Sequence, residues 1–201
     1  MKRAMFPVLL AVLLCASPVL AEAEPDVDQA VLETIDTYIA AMREGDYDAM
    51  AELMHPDDLA QFKKLFVLIA MEAEKQGDFG ELALFLGGIK NAAELDETEP
   101  EQFFAGFMSA VVQFIPDLGA VLKSAEVTIL GQVAEGEDDE LLHVVHRMEM
   151  EVEGEPISTI DVISMRRSAG GGYRLILDEM AWGVTRSLQK RFGIKQDVGL
   201  D

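Results

Sequence analysis

Apolar residues recur at helical spacing through the first half of the chain and switch to strict alternation beyond Ser124. From Asp28 onward, Val31, Ile35, Tyr38, Ile39 and Met42 form one stripe, with Asp26 or Asp28 placed to cap its start and Gly45 to end it. A short second helix spans 47–54 with Met50 and Leu53 facing inward, until His55-Pro56 breaks it. Pro56 then opens a third helix to about Gln76, carrying Leu59, Phe62, Phe66 and Ile69 on one side. Leu65, Leu68 and Met71 widen that face, which predicts burial on more than one side. Phe79 to Leu86 predicts another short helix, and the acidic stretch from Asn91 to Thr98 a surface connection. Thr98 and Glu101 have the spacing of a capping box, and Pro100 suits the first turn that follows. The helix they start carries Phe103, Phe104, Phe107, Met108, Val111, Val112, Phe114 and Ile115 before Pro116. Apolar around nearly its whole circumference, it is expected in the core rather than against a partner.

Val127, Ile129 and Val133 predict a first strand. In the second, Val144, His146, Met148, Met150 and Val152 share one face, with Arg147, Glu149, Glu151 and Glu153 on the other. Ile157 to Arg167 predicts a third strand, Tyr173 to Val184 a fourth, and Thr185 to Phe192 a terminal helix. The turns at 135–139, 153–156 and 168–172 are short, which forces successive strands to be antiparallel neighbours. The expected fold class is therefore α+β: an N-terminal helical layer packed on a curved four-stranded antiparallel meander sheet. One domain over 28–193 is expected, with a disordered lead at 22–27 and a tail at 194–201.

The opening from Asp28 to Met54, with its stop at Gly45-Asp46-Tyr47-Asp48 and its close at Leu53-Met54-His55-Pro56, resembles the nuclear-transport-factor-2-like superfamily. The resemblance implies helices lying in the hollow of a strongly curved sheet around a cone-shaped cavity. Its members include polyketide-cyclase-like and ketosteroid-isomerase-like enzymes as well as domains with no chemistry. The chain departs from that pattern where the superfamily places a hairpin after the second helix, because residues 56–122 read as helical almost throughout.

Lys2 and Arg3 followed by the apolar run from Ala4 to Ala16 have the layout of a secretory signal, and Val19-Leu20-Ala21 offers a cleavage site. Residues 1–21 are thus expected to be removed, leaving a periplasmic or secreted protein with no stable membrane insertion. Cys15 departs with the signal, so the mature chain has no disulfide, thiolate nucleophile or cysteine ligand. About 180 residues remain, enough to bury a core without such a staple. The whole chain carries 16 Lys+Arg against 37 Asp+Glu, a net −21 that becomes −23 once Lys2 and Arg3 are gone. Such a body repels nucleic acid and anionic lipid surfaces.

Candidate chemistry is sparse. His143 and His146 lie three apart on a strand and so face opposite ways, which argues against a two-histidine chelate; neither a metal nor a cofactor is expected. His146 shares the apolar face, and Asp161 falls near it on the neighbouring strand, so these two are the candidate acid–base pair. Tyr38, Trp182 and Glu179 are the candidate pocket lining, Glu179 and Asp178 being successive in the expected last strand. No serine sits in a strained elbow that would mark a nucleophile. The expected function is a non-catalytic binding or interaction domain with an apolar pocket, taking an apolar small molecule, a protein partner or a second copy. The alternative is a small-molecule lyase, isomerase or hydrolase that works by proton transfer between His146 and Asp161.

Overall fold

A computed structural model describes residues 27–115, 117–135, 140–152, 154–177 and 179–194, with the side chains of residues 179 and 180 left out. The expected signal peptide, the lead up to Asp26, the first turn from Gly136 to Asp139 and the tail from Lys195 lie outside the described residues.

The first three helices start and stop where their capping chemistry dictates. In α1 (Gln29–Glu44) the Asp28 carboxylate accepts from the Ala30 N–H, and Gly45 closes the helix in the left-handed conformation. Asp46 caps α2 (Tyr47–Leu53) through the Ala49 N–H. Pro56 opens α3 (Pro56–Gln76), and Gly77 ends it, again left-handed. Beyond it come α4 (Phe79–Ala83), α5 (Ala92–Glu97), α6 (Pro100–Phe114) and α7 (Leu118–Ser124). The helical core is an aromatic cluster. Phe66 meets Phe62, Phe103 and Phe107 at centroid distances of 4.9, 5.3 and 5.2 Å, each pair contributing about 0.5–1.5 kcal/mol beyond area burial. Backbones also approach closely here. A Cβ on Gly87, which has φ 63°, would lie 2.9 Å from the Gly106 backbone, so α6 can pack against this loop only because the position is glycine.

The sheet is the meander the alternation predicts, in order β1 (Glu126–Glu135), β2 (Leu141–Val152), β3 (Glu155–Arg167) and β4 (Tyr173–Leu175), all antiparallel. A bulge between Ile129 and Gly131 shifts the β1–β2 register and adds to the curvature. The helical layer packs on one face of this curved sheet, which gives that face Leu142, Val144, Met165 and Leu175 as core residues.

Several expectations are corrected. Residues 92–97 form α5 rather than a surface connection, because the Asn91 side chain caps the Glu94 N–H and Leu95 is fully buried. Thr98 makes no capping box; its hydroxyl donates back to the Glu94 carbonyl, and Glu99 is the N-cap of α6. Only the first half of α6 is core, since Phe103, Phe104 and Phe107 are buried while Phe114 and Ile115 are exposed. The fourth strand stops at Leu175, and helix α8 (Glu179–Arg191) begins at Glu179, so that residues 179–184, expected as strand, open the terminal helix expected from Thr185.

Asp58 explains that early stop. It sits in the first turn of α3, almost fully buried, and its Oδ2 accepts the Leu177 N–H at 3.1 Å while Oδ1 pairs with Arg166 at 3.3 Å. Next to it the His55 N–H donates to the Leu175 carbonyl at 2.6 Å. The last ladder bond is Ile176 N–H to the Ser164 carbonyl; the following amide is captured by Asp58, and the chain leaves the sheet. Helix α8 then lays Trp182 against Phe62, edge to face at 6.2 Å.

Asp58→Ala strands a buried amide and frees Arg166, so it is expected to cost about 2–3 kcal/mol in denaturant unfolding, with Asp58→Asn retaining part of that. A change below about 0.5 kcal/mol would show that the fold does not lean on this contact.

Candidate functional site

His146 and Asp161 do come together in register. They are directly paired residues of β2 and β3, which places both on the helix-facing side of the sheet. Their surroundings differ sharply. His146 is 3% exposed, whereas Asp161 is exposed and its Oδ1 accepts the N–H of the next residue, Val162, at 2.8 Å. Burial pushes the His146 pKa below the ordinary imidazole value, and the Asp161 charge works in the opposite direction more weakly. Among the described residues the buried His146 Nδ1 atom meets no hydrogen-bond partner of ordinary geometry, and the Val144 backbone adds only a minor influence that favours the protonated ring. The pair thus combines a neutral, poorly basic imidazole with a carboxylate committed to its own backbone, a weak arrangement for proton transfer.

The other candidates are dispersed. Tyr38 is half-buried on α1 and Trp182 half-buried on α8, its ring engaged by Phe62. Trp182 therefore belongs to a helix and not to the sheet face expected for it. Glu179 opens α8 rather than occupying a strand, and its side chain lies outside the described residues. Two recesses stand out among the described residues. One, of about 250 Å³, lies between the end of α1, α6 and α7 and is bounded by Met42, Tyr47, Val112 and Leu122. The other is a shallow depression of about 610 Å³ along α8, beside Gly183, Arg186 and Lys190. Neither is lined by Tyr38, His146, Asp161 or Trp182.

A polar relay with no signature in the sequence lies on the opposite face. His143 Nδ1 lies 2.8 Å from the Ser164 hydroxyl, and its Nε2 2.8 Å from a Glu135 carboxylate oxygen. Three strands contribute one residue each. The composition matches a serine–histidine–carboxylate set, yet Ser164 lies in the middle of a regular strand and not at a strained turn. The relay therefore works as a cross-strand clasp between β1, β2 and β3, each bond contributing about 1 kcal/mol. Only the parity of His143 was readable in advance. The diagonal reach to Glu135 depends on the register beyond the bulge.

The most unusual surface belongs to β3. Residues 155–162 are exposed on both faces, including Ile157 at 40%, Ile160 at 66% and Val162 at 44%. Because β4 pairs with 165–167, this stretch is also a free edge among the described residues. Arg167 N–H donates to the Glu140 carbonyl on the β2 side, so odd-numbered residues of β3 bond to β2 and even-numbered ones point outward. Ser158, Ile160 and Val162 therefore direct their backbone groups away from the sheet.

No family model, curated protein or solved structure matches the chain. Among the described residues no group of three or more His, Cys, Asp or Glu is placed to hold a metal ion, and no single helix is long and apolar enough to cross a membrane.

The direction of the His146 shift sets a pH dependence. A histidine whose folded pKa lies below its unfolded value contributes fully above about pH 6.5 and loses that contribution as pH falls through the folded value. Stability is expected to fall on acidification below about pH 6.5, with His146→Leu flattening that limb. In an NMR titration Asp161→Asn is expected to lower the His146 pKa further. A rise on that substitution, or a His146 titrating above the ordinary value, would contradict the account.

Proposed function

We propose that this is an exported, non-catalytic binding domain whose contact surface is the part of the sheet that the helices leave bare. One observation carries the reading: β-branched residues stand exposed along a strand edge that is free among the described residues, Ile160 and Val162 on the outer face and Ile157 on the other. Folded proteins seldom leave such an edge in water, where it invites association. Val133 and Leu130 on β1 add exposed apolar surface to the same sheet. The export signal read at residues 1–21 and the strongly acidic body suit a protein that meets its partner outside the cytoplasm. Resemblance to the nuclear-transport-factor-2-like superfamily stays part of the proposal through the Asp28–Pro56 opening; helices α3 to α7 replace the hairpin expected of that superfamily. The proton-transfer alternative draws on the His146–Asp161 register pairing alone, and neither recess opens onto that pair.

An uncharged apolar dye such as Nile red tests the reading at submicromolar protein. Saturable uptake with a blue-shifted emission is expected. Combined Ile157→Ser, Ile160→Ser and Val162→Ser substitutions should weaken it at least ~10-fold without changing the circular dichroism spectrum. No uptake by the native protein, or uptake untouched by the triple substitution, would refute this surface as the site of contact.

A further inference from the structure

We infer that the free edge of β3 receives an extended, positively charged polypeptide segment as a fifth strand. This rests on the uncovered sheet being a contact surface, as proposed above, and names the partner.

The edge has defined limits. At one end Pro156 has no N–H to offer, and at the other the Ser164 carbonyl is already taken by the Ile176 N–H. Between them the outward backbone groups of Ser158, Ile160 and Val162 offer a ladder to one more strand. Exposed Ile160 and Val162 supply apolar contacts for alternate side chains of the incomer.

Charge selects the partner. Glu126 and Glu149 are directly opposite one another on β1 and β2, an unfavourable like-charge pair in isolation. Glu151 and Glu155 continue the acidic end of the sheet, and Arg147 is the cation among these positions. A second copy of so acidic a chain is repelled from this edge, whereas a basic segment is drawn to it.

Asp161 adds a lock. Its carboxylate occupies the Val162 N–H, one of the three outward amides, and blunts the edge toward neutral or acidic strands. A lysine or arginine on the incoming strand, placed beside Asp161, draws the carboxylate into an ion pair and releases the Val162 N–H to the new ladder. Repulsion of wrong strands and acceptance of the right one then come from the same residue.

The test uses the protein expressed from its full sequence and three blocked heptapeptides. One alternates lysine and valine, one alternates glutamate and valine, and one alternates lysine with glycine and serine. The lysine–valine peptide is expected to bind, to weaken with salt, and to slow hydrogen exchange at Ser158, Ile160 and Val162. Asp161→Lys should reduce its affinity on the order of tenfold or more, and so should Ile160→Lys, at a position exposed enough to leave the fold intact. Equal binding of the glutamate–valine peptide, equal binding of the glycine–serine peptide, or protection at other amides would overturn the inference. So would concentration-dependent protection of the same amides without peptide, which would make the occupant a second copy. If no peptide binds but Nile red is still taken up at Ile160, the inference fails and the contact surface stands; if both fail, both go.

Discussion

A single buried carboxylate decides the shape of this protein. Asp58 takes the Leu177 N–H out of the sheet and holds Arg166, while the neighbouring His55 N–H binds the Leu175 carbonyl. Helix α3 is thereby fastened to the end of β4, and β4 is limited to three residues. Had the strand continued as its sequence suggested, it would have covered the outer edge of β3. The bare edge is thus a consequence of a helix–strand contact well away from it.

The helical layer is largely self-sufficient, which is why it can leave so much sheet exposed. Its aromatic cluster of Phe62, Phe66, Phe103 and Phe107 is assembled from α3 and α6 and closed by Trp182 of α8. The sheet contributes to the core mainly through Leu142, Val144, Met165 and Leu175, at the end nearest Asp58. Past His146 the inward positions of β2, Met148 and Met150, are only half-buried. Stability and recognition are therefore separable: substitutions along 155–162 touch little of the core.

Legibility in the sequence followed the local character of each signal. Helices α1 to α3 were readable because Asp28, Gly45, Asp46, Pro56 and Gly77 act on their own immediate neighbours. The alternation of β2 was readable because its burial strictly follows parity from Leu141 to His146. Missed features were settled by contacts distant in sequence. The end of β4 depends on Asp58, 119 residues before Leu177. Helix α5 depends on Leu95 finding a buried place. At the candidate site, parity placed His146 inward, but the carboxylate of Asp161 turning to Val162, and the clasp of Glu135, His143 and Ser164, required the register itself.

Residue-resolved hydrogen exchange on dilute native protein tests the central claim, that the ladder ends at Ile176 and leaves β3 bare. The amides of Thr159, Asp161 and Ile163, which face β2, should exchange far more slowly than those of Ser158 and Ile160, which face outward. Equal and strong protection of all five would mean that the edge is covered within the chain and would contradict the account.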